Sequence, residues 1–372
     1  MTATPAFSIV INNFNYSRFL SRSIDSALGQ TLPAADVVVV DDASTDVSAE
    51  VIRGYGEHVV AVLKTRNAGH LAALRSGFEV SRGDVILFLD SDDYLRPDAL
   101  ACLAAVHRPE TAMYQRRLEL VDIDEGPLGV YPPLETALDA GSVAPQLAEC
   151  GRISTSVTSG LAFSRRALEA LGPWPLEDFR QGGDGYLAAA APFHGEVVTV
   201  PGLAGAYRQH GANHAQFAQA VGAKARWRLE HDEARYAAIR EQAARRGVPI
   251  GPRLGLGDAG HLEERIASLR LDPELHAYPG DRPARLLPAG LAAVARAPLP
   301  ACRRAALMGW WVLAGLAPRR VAVAVISWRL SAGTRPLWVK RLARAARRLT
   351  GGRDLDVRPG PASPAVDSAP AA

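Results

Sequence analysis

Short apolar runs alternate with longer stretches of helical spacing in the first part of the chain. The runs are Phe7 to Ile11, Asp36 to Val40, Val59 to Leu63 and Val85 to Leu89. Each is short and predicts a strand, and the runs Asp36 to Val40 and Val85 to Leu89 predict strands that are buried on both faces. Alternation of such strands with helices at this spacing predicts a parallel sheet with helices on both sides.

Carboxylates follow two of these predicted strands directly. Asp41 and Asp42 follow the second strand, and the fourth runs into Asp90-Ser91-Asp92-Asp93. Neighbouring carboxylates repel one another and are tolerated where a cation or another ligand lies among them. Ligands of open α/β sheets bind at the carboxyl ends of the strands. One acidic cluster is explained equally well as a solvated turn before a helix, but two at one edge favour a metal or polyanion site.

Composition allows one large domain or two smaller ones, since the chain has 372 residues of which 48% are hydrophobic. Its three cysteines lie far apart and match no metal-binding spacing, which indicates reduced cysteines in a cytosolic protein. The stretch from Met1 to Ile11 lacks a basic segment and a cleavage site, so we expect no signal peptide. We therefore expect a cytoplasmic protein.

Charge is distributed unevenly, because residues 1–295 contain more acid than base whereas residues 296–353 contain many Arg and Lys residues and no Asp or Glu. In this basic region Trp310 and Trp311 lie within an apolar run that is too short to span a bilayer. Amphipathic helices with tryptophan and arginine predict a peripheral anchor on anionic lipid, as in Trp338 to Leu349. The alternative is a helical subdomain that packs its tryptophans on the catalytic domain. No nucleic-acid-binding module is recognised.

A set of motifs in fixed order carries a family resemblance. Ser8 to Asn15, Val40 to Asp46, Asn67-Ala68-Gly69 and Asp90 to Asp93 together resemble the signature of the family 2 glycosyltransferases. The resemblance covers about residues 6–215. It implies the GT-A fold, an α/β Rossmann-like architecture with a mixed, mainly parallel sheet flanked by helices. It also implies inverting transfer from a nucleotide-diphosphate sugar with a divalent cation, Mg²⁺ or Mn²⁺.

The same resemblance implies roles for individual residues on the donor side. Asn12 and Phe14 would line the base pocket, and Asp42 would bond the edge of the nucleobase. Asn67 would belong to the nucleotide-sugar site, and Asp90 would face the ribose and diphosphate. Asp92 would bind the metal, and an oxygen-rich cluster without cysteine suits a hard cation. Arg75 departs from the family, because many relatives have Asn there, and a solvated helix face explains it best.

The segment Gln181 to Leu187 contains the candidate base. Its glycines allow the backbone to approach a ligand closely, and Asp184 could be no more than the N-cap of the following helix. The resemblance instead implies that Asp184 is the catalytic base, which an inverting displacement needs on the face opposite the leaving group. Relatives often have Glu-Asp where this chain has Gly-Asp, so Asp184 is the sole candidate there.

The segment Tyr207 to Asn213 resembles the one that closes the domain in many bacterial members. Arg208 would neutralise the departing diphosphate. His210 would be a further metal ligand, or a structural histidine. The Gln-x-x-Arg-Trp motif of processive synthases is absent, which favours transfer of one sugar.

These observations predict four parts: a catalytic domain over residues 1–215, a helical extension with linkers over 216–295, a basic amphipathic helical region over 296–350 and a disordered tail over 351–372. Pro279 to Pro288 is predicted as one of the linkers. The predicted enzyme transfers a single sugar to a hydroxyl of a cell-envelope glycan or a lipid-linked saccharide at the cytoplasmic membrane face. The alternatives are a polyprenyl-phosphate acceptor, or a non-catalytic nucleotide-binding scaffold docked to a membrane or a partner.

Overall fold

The computed structural model describes residues 4–210, 221–297, 301–331, 334–337 and 341. It divides into two compact units, residues 1–334 and residues 335–372. The predicted tail 351–372, the predicted helix Trp338 to Leu349 apart from Arg341, and Gly211 to Asn213 lie outside the described residues. No helix among the described residues is long and apolar enough to cross a membrane.

The predicted strands are all present, and the elements of the first half alternate as the pattern indicated. In chain order they are β1 (Phe7–Asn13), α1 (Ser17–Leu28), β2 (Asp36–Asp41), α2 (Ser48–Gly54), β3 (Val60–Leu63), α3 (His70–Val80), β4 (Val85–Asp90), β5 (Tyr94–Leu95) and α4 (Ala99–Ala105).

Residues 106–210 add further strands. They and their helices are β6 (Thr111–Val121), β7 (Pro127–Tyr131), α5 (Ala144–Cys150), β8 (Leu161–Ser164), α6 (Arg165–Ala170), α7 (Gly183–Ala190) and β9 (Glu196–Arg208). Within the described residues, nine strands form one sheet in the order β3-β2-β1-β4-β8-β6-β9-β5, with β7 beside β6. The first four are mutually parallel, and β8 runs antiparallel to β4 and β6. The predicted mixed α/β sheet is confirmed.

Alternating side chains of the central strands enter two different cores. Ile9 and Ile11 of β1 pack on one side of the sheet with α1 and α4, whereas Val10 packs on the other side with α3, α7 and α8. This is the period of two that a strand imposes on its side chains. Gly77 of α3 lies so close to the sheet that a Cβ there would come within 2.2 Å of Val10 Cγ1. Strands β1, β2 and β4 are therefore buried on both faces, whereas β3 lies at the edge of the sheet and is partly exposed.

Helices complete the unit after β9. They are α8, described over Val221–Arg246, α9 (Ala259–Leu271), α10 (Pro283–Arg296), α11, described over Ala301–Leu316, and α12 (Arg319–Leu330). The prediction of a linker over Pro279 to Pro288 is wrong, because α10 begins at Pro283 and contains Pro288. Packing of Leu286 and Val294 in a third core outweighs the lost backbone hydrogen bond of that proline.

A buried ion network joins α8 and α9 to the loop after α5. Asp232 accepts from Arg152 Nη2 at 3.0 Å and lies 2.8 Å from Arg235 Nη2 and 3.0 Å from His261 Nδ1. Asp258 accepts from Arg152 Nε at 2.7 Å. Burial opposes a charged carboxyl, but His261 and the two arginines outweigh it and lower the pKa of Asp232 to about 2.

Asp232→Asn is expected to lower the free energy of unfolding at pH 7 by about 3 kcal/mol, because the buried Arg235 and His261 lose one charged partner while Asp258 remains. The pKa of Asp232 is depressed from 3.8 to about 2. Its contribution is therefore complete above pH 4 and is lost as the pH falls through about 2. Urea titrations from pH 7 to pH 2.5 should show the gap between the two proteins narrowing.

Glu241→Gln is the control for this prediction, since Glu241 lies on the same helix and pairs with Arg245 at the surface. It should cost less than about 0.5 kcal/mol. Equal losses in the two variants would contradict a structural role for the buried network.

Candidate active site

Asn12 and Asp90 are neighbours at the carboxyl edge of the sheet, because β1 and β4 pair in parallel with these residues in register. Asn12 Nδ2 donates to Asp90 Oδ1 at 2.9 Å. Burial raises the pKa of Asp90, but His70 and hydrogen bonds from Asn12 and Thr158 outweigh it, and the pKa is lowered. Asp90 therefore remains a carboxylate next to the buried Asn12 Oδ1, which has no hydrogen-bond partner in the described part of the chain.

The two predicted metal ligands, Asp92 and His210, lie together although 118 residues separate them. Asp92 Oδ2 is 3.0 Å from His210 Nε2, and both side chains are buried. The ring of Phe19 packs 4.9 Å from the imidazole, and that of Tyr16 5.4 Å, so the imidazole is oriented. No group of three His, Cys, Asp or Glu residues that could hold a metal occurs among the described residues. The pair fits a cation whose remaining ligands come from a phosphate and water.

Arg208, at the end of β9, holds the turn of Asp92 and Asp93 in position through hydrogen bonds. Its buried guanidinium donates to the backbone oxygens of Asp92 at 2.9 Å and Ile123 at 3.1 Å and to Glu125 Oε1 at 3.0 Å. Its backbone N–H donates to Asp93 Oδ1 at 2.9 Å. Burial, then repulsion by Asp92 and Asp90, raises the pKa of Asp93. These contacts hold the turn in place, and a direct contact of Arg208 with diphosphate stays a prediction.

Asp42 holds the turn that contains Asn67. It accepts from the backbone N–H groups of Ala68 at 3.1 Å and Gly69 at 2.7 Å, and Lys64 Nζ lies 2.5 Å from Oδ1. Gly69 has φ +92° and is so close to Arg180 that a Cβ would come within 2.6 Å of its Cα. The turn therefore requires glycine.

The remaining donor-side residues lie nearby in the chain. Asn67 accepts a hydrogen bond from Arg180 Nη2 at 3.1 Å through its side-chain oxygen, and Phe14 is half-buried directly after β1. Nucleobase contacts of Phe14, Asp42 and Asn67 stay predictions.

Asp184 lies in the first turn of α7, which begins at Gly183. The prediction that Asp184 is the N-cap is wrong: Gly182, with φ +66°, occupies that position. No described residue donates a hydrogen bond to the Asp184 carboxylate. Its position near a helix N-terminus stabilises the negative charge. Its oxygens therefore accept no hydrogen bond from the described residues.

A family comparison adds independent information about this chain. The sequence model described as "Glycosyl transferase family 2" matches residues 8–172. Residues 8–172 are a family 2 glycosyltransferase domain. The matched range includes β1, β2 and β4 with both acidic turns, and it ends before Asp184 and His210.

Curated relatives are glycosyltransferases as well. The chain is 31% identical over 210 residues to an uncharacterised glycosyltransferase of Nostoc, covering 55% of this chain and 65% of that protein. It is 39% identical over 99 residues to a poly(ribitol-phosphate) beta-glucosyltransferase of Bacillus spizizenii, covering 25% of this chain and 16% of that one. The chain therefore spans less than two thirds of the length of these relatives.

One solved structure has a similar fold. Residues 1–349 of S. aureus TarS in complex with UDP-GlcNAc superimpose with a TM-score of 0.52 at 16% identity, covering 87% of this chain and 91% of that TarS chain. The shared architecture is that of GT-A glycosyltransferases.

Sequence reasoning missed His70, which connects Asp90 to the helix that bears Asp184 in the candidate site. Its Nδ1 accepts from the backbone N–H of Gly183 at 3.1 Å, and its Nε2 lies 3.5 Å from Asp90 Oδ1. Burial lowers the pKa of His70, but the hydrogen bond and charge of Asp90 outweigh it and the pKa is raised. The only signal in the sequence was that His70 directly follows the Asn67-Ala68-Gly69 turn. Its contact with Gly183, which lies 113 residues further along the chain, could not be seen from the sequence.

Helix α8 also contacts the turn before Asp184. A Cβ at Gly182 would lie 2.7 Å from His231 Nε2. The imidazole of His231 packs edge-on against Phe179 at 4.9 Å and stacks on Trp227 at 5.2 Å. The helical extension therefore helps to shape the surroundings of Asp184.

Proposed function

We propose that this chain transfers one sugar from a nucleotide-diphosphate sugar to a hydroxyl acceptor, with inversion at the anomeric carbon. The observation that carries this proposal is the arrangement around His70. The imidazole contacts Asp90 on the donor side and the N-terminus of the Asp184 helix on the other. The half-buried imidazole of His70 thereby links the carboxylate of Asp90 to the helix that bears the candidate base.

Residues at the carboxyl edge of the sheet would bind the donor. Asn12 and Phe14 follow β1 and would contact the base, together with Asp42 and the Asn67 turn. Asp90 would accept hydrogen bonds from the ribose, since its charge is maintained by Asn12 and His70.

Asp92 and His210 would hold a divalent cation, Mg²⁺ or Mn²⁺, whose charge stabilises the departing diphosphate. A carboxylate oxygen and an imidazole nitrogen 3.0 Å apart and shielded from solvent support this assignment. Arg208 would keep Asp92 in position through its backbone oxygen and is placed in the donor site for that reason.

Asp184 would act as the general base. Its carboxylate takes the proton of the acceptor hydroxyl as that oxygen forms a bond to the anomeric carbon. The bond from the anomeric carbon to the diphosphate oxygen breaks, and the nucleoside diphosphate leaves with the electron pair. The absence of hydrogen bonds to Asp184 from the described residues supports this role.

The acceptor we propose is a cell-envelope glycan or a lipid-linked saccharide. The name of the Bacillus relative, a poly(ribitol-phosphate) glucosyltransferase, supports an envelope polymer. The basic C-terminal region supports a cytoplasmic location with peripheral binding at the anionic membrane face.

A thermal-shift screen of nucleoside diphosphates and their sugars, with and without Mn²⁺, tests the donor site. A donor at one hundred times its Kd stabilises the folded state by about 2.7 kcal/mol. We expect one nucleotide family to raise the melting temperature, and its sugar to be released or transferred. Binding without any transfer or hydrolysis would favour a non-catalytic scaffold, and no shift with any donor would contradict the proposal.

Gly182→Ala is expected to lower kcat/KM for transfer by on the order of 10²-fold, because the reactive groups shift by a fraction of an ångström to an ångström. Alanine disfavours φ +66°, and its Cβ would meet His231 at 2.7 Å. Gly247→Ala is the matched control, since it has φ +64° and nothing within 4 Å of an added Cβ. Initial transfer rates of both variants test this prediction. Equal rates would contradict the interpretation that the turn at Gly182 holds Asp184 in place.

A further inference from the structure

Helix α11 presents an apolar stripe to solvent. Val312 is 41% exposed, Leu313 44% and Leu316 65%. Ala305, Ala306 and Gly309 are also exposed and lie one to two turns earlier on the same side. These six residues recur at the i, i+3, i+4 spacing of one helix face. We call this face the α11 stripe.

The opposite face of α11 is already packed. Trp310, Trp311, Ala314 and Gly315 are buried there. They contribute to a core with Leu262 and Ile266 of α9, Leu286 of α10 and Ile326 of α12. A Cβ at Gly290 of α10 would lie within 2.3 Å of the Trp311 ring, so this packing is tight. The prediction that these tryptophans anchor the chain on lipid is therefore wrong.

A helix that is apolar all round is normally buried on all sides. The helices of this unit cover one side of α11 and leave the stripe exposed. An exposed apolar face of this kind commonly marks an interaction surface.

The charge around the stripe indicates what it contacts. Arg303 near its start and Arg320 just beyond its end are both exposed. No Asp or Glu occurs between residues 282 and 353. Apolar residues between cations match a lipid surface with anionic headgroups, because the aliphatic groups enter the interface and the arginines contact phosphate.

We propose that the α11 stripe lies on the anionic surface of a lipid bilayer, with Arg303 and Arg320 at the headgroups. This inference rests on the proposed location of the transferase at the membrane face, and it identifies the residues that would bind there. A second copy of the chain fits less well, since a symmetric contact through this face would bring like charges together.

Sedimentation of the full chain with vesicles tests the proposal. We would compare phosphatidylcholine vesicles with vesicles of phosphatidylcholine and phosphatidylglycerol in equal parts. Wild type should pellet with the mixed vesicles alone, and added salt should weaken that binding. The double variant Leu313→Gln, Leu316→Gln should bind them at least about tenfold more weakly, because two interfacial leucines are lost. Arg303→Gln with Arg320→Gln should reduce the salt dependence.

The matched control is Leu256→Gln with Leu275→Gln. These leucines are 46% and 61% exposed but lie outside the stripe, so vesicle binding should equal that of wild type. Wild-type binding by the stripe variant would overturn the proposal, as would absence of wild-type binding to the mixed vesicles. A wild-type dimer that the stripe variant converts to monomer, with unchanged vesicle binding, would assign the face to a second copy instead.

Donor thermal shifts on the same proteins separate this proposal from the proposed function. The stripe variant should keep the donor-induced shift of wild type. Vesicle binding without any donor shift would refute the transferase and leave the membrane surface intact. A donor shift without vesicle binding would refute the membrane surface and leave the transferase proposal intact.

Discussion

Asp184→Asn should lower kcat for sugar transfer by about 10²–10⁴-fold while donor-induced thermal stabilisation stays at the wild-type value. The amide keeps the size and shape of the side chain but cannot accept the acceptor's proton. Because Asp184 bonds to no described residue, folding should be affected little. Single-turnover transfer rates and donor thermal shifts measure the two effects separately.

Asp178→Asn is the control for Asp184, since Asp178 is an exposed carboxylate six residues upstream in the same segment. It should transfer sugar at the wild-type rate. A mild effect of Asp184→Asn, within a few-fold of wild type, would contradict the base assignment. That result would favour a polyprenyl-phosphate acceptor, since a phosphate is already ionised and needs no base.

Asp92→Ala should abolish the Mn²⁺-dependent part of donor stabilisation and lower transfer by on the order of 10³-fold. A cation on a leaving diphosphate contributes several kcal/mol, and each 1.36 kcal/mol corresponds to about tenfold in rate. Without metal and donor, the variant should be at least as stable as wild type. Removal of Asp92 relieves repulsion with Asp90 and Asp93, which is among the causes of the raised pKa of Asp93.

Thermal shifts with and without Mn²⁺, and transfer rates in EDTA, check the effect of Asp92→Ala. Asp98→Ala is the control, because Asp98 is a solvent-exposed carboxylate shortly after the acidic turn. Transfer that survives both EDTA and Asp92→Ala would contradict a metal-bound donor. A large loss of stability in the metal-free variant would indicate that Asp92 is structural.

Periodicity alone was sufficient for the strands that carry the donor site. β1, β2 and β4 are continuous apolar runs, and such runs have few alternatives in a chain of this length. Because β2 and β4 both run parallel to β1, the carboxylates that follow them lie at the same edge of the sheet. The position of Asp92 at this edge therefore followed from local sequence, and the motif order supplied the family.

Propensity was misleading where packing outweighed it. Pro288 suggested a linker, but α10 continues through it because its neighbours fill a core with α9 and α11. Asp184 suggested an N-cap, but Gly182 with its positive φ is the N-cap, so the helix starts two residues earlier. Both cases are decided by contacts with elements far away in the chain.

The sequence by itself determined the sheet, its acidic edge and the family of residues 8–172. Only the tertiary structure decided that His70 joins Asp90 to the Asp184 helix, because its two partners are distant in the chain. It also decided which face of α11 is buried. A helix that is apolar all round has no periodic signal for its orientation, so packing by α9, α10 and α12 places the tryptophans inside and the leucines outside.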